Sequence, residues 1–95
     1  MIVQRMNVNV KKGCMQELLT FLKEDRKKGG YNYRLYQSNL GTFDQISIEL
    51  EFENLGAHEK FWIDWNALPE TPAFFEKWDA LTKPGGTNEI WWVVE

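Results

Sequence analysis

The chain has 95 residues, enough for one domain spanning 1–95 and too few for two. Eleven Lys and Arg residues against fourteen Asp and Glu leave a net charge of -3, which gives no electrostatic reason to bind a polyanion such as nucleic acid. The lone Cys14 and lone His58 exclude an internal disulfide and a Cys/His metal site, and no run approaches the ~18 apolar residues of a membrane span.

The opening MIVQRMNVNV alternates polar and apolar residues, unlike the basic and then apolar regions of a signal peptide, so a cytoplasmic protein is expected. Met6, Val8 and Val10 alternate with Arg5, Asn7 and Asn9, the period-2 pattern of a half-buried first strand. After a turn at Lys11-Lys12-Gly13, Met15, Leu18, Leu19 and Leu22 recur at helical spacing, and the helix ends near Gly29-Gly30. The basic run Arg26-Lys27-Lys28 at its end complements the helix dipole. A second strand is read over residues 31–39, with Tyr31, Tyr33 and Leu35 on one face and Asn32, Arg34, Tyr36 and Ser38 on the other.

A third strand is the clearest element, because Ile46, Ile48, Leu50 and Phe52 alternate strictly with Gln45, Ser47, Glu49, Glu51 and Glu53. Asn54 caps a second helix with an apolar stripe at Leu55, Phe61, Trp62, Trp65 and Leu68, which Pro69 interrupts. A new helical start follows, with Thr71 as cap, Pro72 at the first helical position, and Phe74, Phe75, Trp78 and Leu81 as its stripe. Lys83-Pro84-Gly85-Gly86 stops it, and EIWWVVE, residues 89–95, reads as a last strand.

The order β-α-β-β-α-β predicts an α+β, ferredoxin-like four-stranded antiparallel sheet with the helices on one face. The Phe and Trp stripes of residues 61–81 then most simply pack as core on strands one and three, with some rings left to face a ligand. The other face would gather Arg5, Asn7, Asn9, Gln45, Ser47, Glu49, Glu51, Arg34 and Tyr36. Adjacent Trp91 and Trp92 must point to opposite sides of their strand, so one enters the core and the other joins the uncovered face. A monomer would leave that apolar surface in water, and a homodimer with two sheets face to face is expected.

The element order, the passage FENLGAHEKFWIDWNALPETPAFFEKW and the closing EIWWVVE resemble the dimeric α/β barrel superfamily, and within it the NIPSNAP-like and antibiotic-biosynthesis-monooxygenase-like proteins. The resemblance spans nearly the whole chain and rests on pattern rather than on an invariant motif. It implies a dimer with a pocket between sheet and helices in each subunit. Some members of that superfamily oxidise polycyclic aromatic substrates without a cofactor, some degrade haem, and many have no known activity. In the cofactor-free oxidases a strand-one Asn and a helix-two Trp hold and polarise the substrate, and the matching positions here are Asn7 or Asn9 and Trp62 or Trp65. The haem-degrading branch needs a late helical His where this chain has Phe74, Phe75 and Trp78, so haem is not expected.

These readings make Asn7, Trp65 and His58 the candidate catalytic residues and Asn9, Arg34, Tyr36, Trp62 and Phe75 the candidate substrate contacts, with no metal and no cofactor. An Asn amide donates to a developing oxyanion, aromatic rings stack on a flat substrate, and a histidine has a pKa suited to general-base work. Two weaker candidates are Glu49 with Glu51 as an acid/base pair, against surface salt bridges, and Cys14 as a thiol at a helix start. The expected function is a small-molecule binder acting as a cofactor-free monooxygenase; the alternative is a non-catalytic dimerisation or ligand-sensing module.

Overall fold

Period-2 alternation near the N-terminus and again over residues 45–52 folds into the two central strands of one antiparallel sheet. In the computed structural model, which describes residues 1–95, the elements are β1 (Ile2–Asn9), α1 (Met15–Gly29), β2 (Arg34–Gln37), β3 (Gln45–Phe52), α2 (Leu55–Asn66), α3 (Thr71–Leu81) and β4 (Thr87–Trp92). The sheet order is β2-β3-β1-β4, the ferredoxin-like arrangement, with the helices on one face. Register pairs Met6 with Ile48 and Val8 with Ile46 on the helix side, and Arg5 with Glu49 and Asn7 with Ser47 on the other.

The core sits between α1 and the inner sheet face, where Leu18, Leu22, Val10 and Ile46 are almost fully buried. Each such side chain contributes about 1.5–3 kcal/mol relative to exposure. Gly30 ends α1 in the left-handed conformation with φ 67°, as a helix stop requires. At the other end of the molecule Lys11 N donates to the Leu81 carbonyl and Lys83 N to the Asn9 carbonyl, clamping the end of α3 to the end of β1. Gly86, at φ 88°, lets β4 start beside β1, because a Cβ there would run into the Asn7 carbonyl oxygen.

Four expectations are corrected. The second strand covers only Arg34–Gln37; residues 31–33 form the approach to it, and Tyr33 is buried because its hydroxyl donates to the Leu22 carbonyl at 2.7 Å. Thr71 does not cap α3: it is buried and its hydroxyl donates to the Trp65 carbonyl at 2.6 Å, adding a second bond at the end of α2. The cap position falls to Glu70 with helical backbone angles, since the connection between the helices is a tight turn. The last strand begins at Thr87 and ends at Trp92, and neither of its tryptophans is core. Register puts Trp92 beside Ile2 on the helix side and Trp91 beside Val3 on the other, yet they are 69% and 53% exposed. The reason is that β4 is an edge strand while α2 lies over β3 and α3 beside α1. Asn54, by contrast, accepts from Ala57 N at 2.9 Å and caps α2 as the sequence predicts.

Candidate functional site

Helical spacing places Phe61, Trp62 and Trp65 on one side of α2, and Phe74, Phe75 and Trp78 on one side of α3. These rings pack at the rim of the core and leave a space over the sheet between them. No residue of α2 is buried, and the helices stand off the strands around a cavity of about 420 Å³ floored by Met6, Ile48 and Leu50. That volume is within the range of small-molecule sites, ~300–1,000 Å³. Trp65 is the hub of its wall, with ring centroids 5.5 Å from Trp62, 5.1 Å from Phe74 and 5.4 Å from Phe75, all edge to face. This geometry stabilises aromatic pairs and holds the wall in shape without filling the space.

One end of the cavity is polar, and its organising residue is Gln4. It breaks the apolar side of β1, between Ile2 and Met6, and is 4% exposed. Trp62 Nε1 donates to Gln4 Oε1 at 2.7 Å, and His58 Nε2 lies 3.1 Å from the same oxygen. An indole N–H can only donate, so the atom facing it is the amide oxygen, and His58 must then carry its proton on Nε2. Gln4 Nε2 in turn donates to Asn88 Oδ1 at 2.9 Å, on β4. The neutral imidazole is left with an unprotonated Nδ1, and the Asn88 amide keeps its N–H groups for other partners. The His58 ring also stands edge-on to Phe52 at 5.1 Å.

The opposite end comes from α1 and the segment leading to β2: Leu22, Asp25, Tyr31 and Tyr33. Tyr33 OH lies 2.8 Å from Asp25 Oδ2. Burial pushes the Asp25 carboxyl above its ordinary value, against the lowering effect of that hydrogen bond, and burial pushes the Tyr33 phenol up as well.

The structure brings His58, Trp62, Trp65 and Phe75 together in this cavity, but not Asn7, Asn9, Arg34 or Tyr36. Those four lie on the uncovered face, because odd positions of β1 and even positions of β2 point away from the helices. Asn7 Nδ2 donates to Thr87 Oγ1 at 2.8 Å, and Asn9 Oδ1 accepts from Gln45 Nε2 at 3.2 Å. Arg34 is 66% exposed and 4.0 Å from both Glu49 and Glu51, while Tyr36 OH donates to Glu49 Oε1 at 3.2 Å. One pocket of one chain therefore cannot contain Asn7 together with Trp62. The amide that does stand beside the tryptophan is Gln4.

Glu49 is not paired with Glu51 as an acid and base. It accepts from Arg5 Nη2 at 2.7 Å, and this bond, helped by Tyr36 and Arg34, holds its carboxyl below the ordinary value against the effect of burial. Cys14 occupies the position before α1, half-buried against the core, and its side chain makes no capping hydrogen bond. No group of three or more His, Cys, Asp or Glu side chains is arranged to hold a metal ion. No helix is long and apolar enough to cross a membrane.

Of the cavity residues outside the predicted set, Gln4 carried a legible signal, as a polar residue on the side of β1 that faces the helices, whereas Asn88 lay outside the strand read from the sequence. Asp25 carried none, since an acid on a charged helix reads as solvated.

The order of elements, the antiparallel sheet and the cavity between sheet and helices define a ferredoxin-like α+β domain, and solved structures share that fold. The chain is similar to a NIPSNAP-like domain protein from Burkholderia xenovorans, with TM-score 0.86 and 13% identity over 98% of this chain and 84% of that one. A NIPSNAP family protein from Agrobacterium tumefaciens superposes with TM-score 0.84 and 17% identity, covering 99% and 93% of the two chains. An antibiotic biosynthesis monooxygenase matches across 100% of both chains with TM-score 0.71 and 14% identity. No protein-family model and no curated protein sequence matches the chain. At these identities the likeness is one of fold.

Proposed function

We propose that the protein binds a small aromatic or apolar molecule in the cavity between sheet and helices, and does so as a homodimer. The observation that carries this reading is the cavity itself: an aromatic wall that stays open, closed at one end by the Gln4, His58, Trp62 and Asn88 network. A structural module would use the same rings to fill its core. The finer reading is cofactor-free oxidation of a flat, electron-rich substrate that itself reduces dioxygen, with one oxygen atom entering product and the other leaving as water. It is supported by the likeness to an antibiotic biosynthesis monooxygenase. In that reading the amide role expected of Asn7 passes to Gln4 or Asn88, with Trp62 and Trp65 as the stacking surface.

The dimer reading rests on the uncovered face, where Trp91 is 53% exposed beside Val3. A second sheet packed on that face would cover the tryptophan.

Five indole N–H signals make the binding test internally controlled. On titration with 2-naphthol, nitrogen-proton correlation spectra should show Trp62, Trp65 and Trp78 shifting while Trp91 and Trp92 stay in place. Shifts confined to Trp91 and Trp92, or none at all, would reject the cavity as the site. Dioxygen uptake with a hydroxylated polycyclic substrate and no added cofactor then separates the oxidase from the binding module.

A further inference from the structure

The cavity holds a single carboxylic acid. Asp25 contributes to its wall, and no lysine or arginine does. The Asp25 carboxyl takes part in no ion pair, although five are formed elsewhere in the molecule. Arg26, its neighbour on α1, is turned toward Tyr33 instead: its Nη1 donates to the Tyr33 carbonyl at 3.0 Å and its guanidinium lies 5.9 Å from the centre of that ring. Lys28 and Glu70 border a second depression that Asp25 shares, without pairing with it.

Asp25 has one protein donor, and that donor has a second acceptor in reach. The Tyr33 hydroxyl has a single proton and two acceptors in range, the Leu22 carbonyl at 2.7 Å and Asp25 Oδ2 at 2.8 Å. When the proton serves the carbonyl, the carboxylate lacks a donor on either oxygen. A half-buried acid in that position is satisfied by a proton of its own or by a donor from outside, and a cation answers both the missing donor and the missing charge.

We infer that the cavity selects an aromatic ligand carrying a basic nitrogen, whose ammonium group sits on Asp25 while its ring lies against Trp65 and Phe74. The inference rests on the cavity being the binding site, and names the class of ligand it takes. Tyr31 beside Asp25, with Trp65 and Phe74 further along the wall, presents π faces that attract a cation and gain nothing from an anion. A ligand carboxylate would meet Asp25 with like charge in a site where aromatic walls weaken screening by water.

Three probes of one shape decide it: 1-naphthylmethylamine, 1-naphthylmethanol and 1-naphthoate, titrated separately by calorimetry at neutral pH. The amine should bind about tenfold more tightly than the alcohol, and the carboxylate most weakly. In Asp25→Asn the amine should lose its advantage over the alcohol. Equal affinities across the series, a preference for the carboxylate, or an amine preference that survives in Asp25→Asn would overturn the inference while leaving the cavity as a binding site. Failure of all three probes to bind would reject the cavity reading and this inference with it. The ranking in the unaltered protein decides the matter even if the variant does not fold.

Discussion

Trp62 donates its indole Nε1–H to Gln4 Oε1 across 2.7 Å, joining the middle of α2 to the buried face of β1. That bond sets the orientation of an amide whose oxygen also meets His58 and whose nitrogen donates to Asn88. Replacing Gln4 by Leu removes the acceptor from two donors and the donor from a third group. The expected cost is ~1–3 kcal/mol, because orphaned polar groups forfeit their desolvation. Urea denaturation checks it, and an unchanged midpoint would show the network to be energetically idle.

Phe75 is 42% exposed although it lines the cavity, which separates wall from core. Phe75→Ala should therefore cost less than ~1 kcal/mol of stability, against ~2–5 kcal/mol for Leu22→Ala in the closed core. The affinity of the Phe75 variant for 2-naphthol should nevertheless fall about tenfold, as loss of a ring contact predicts. Retained affinity would remove Phe75 from the site.

Arg5 and Glu49 face each other on the uncovered side at 2.7 Å, with the Glu49 side chain 9% and that of Arg5 45% exposed. Arg5→Met leaves a largely buried carboxylate with Tyr36 and a distant Arg34, and is expected to destabilise the protein by ~1–2 kcal/mol, less than a fully buried pair would lose. The folded protein holds Glu49 below its ordinary pKa, so the native state binds fewer protons there than the unfolded chain. Its contribution is complete above the ordinary carboxylate range and is lost as pH falls through the lower, folded value. Thermal melts of both proteins across the acid range should converge as pH drops, and parallel curves would contradict the pairing.

Trp91 is expected to mark the contact between two copies. Light scattering of the unaltered protein should give a mass near twice 11.2 kDa that survives dilution, and Trp91→Lys should lower it toward the monomer without changing the far-UV spectrum. A monomer at all concentrations would sink the face-to-face arrangement and leave the cavity argument standing, because the cavity is built within one chain.

Local pattern alone determined the two central strands and their faces. Ile46, Ile48, Leu50 and Phe52 can alternate with Gln45, Ser47, Glu49 and Glu51 only on a two-sided strand, and the helix stops at Gly30 and Pro69 are local backbone chemistry. The same alternation assigned Arg5, Asn7, Arg34 and Tyr36 to the uncovered face. What period and propensity do not encode is how far one layer stands from another. Whether Trp62 and Trp65 fill a core or wall a cavity depends on the separation of α2 from the sheet. Whether Trp92 is covered depends on how far the helices extend over an edge strand. The meeting of Gln4, His58 and Asn88 joins residues far apart in the chain, and only the packing of helices on the sheet brings them within hydrogen-bonding distance.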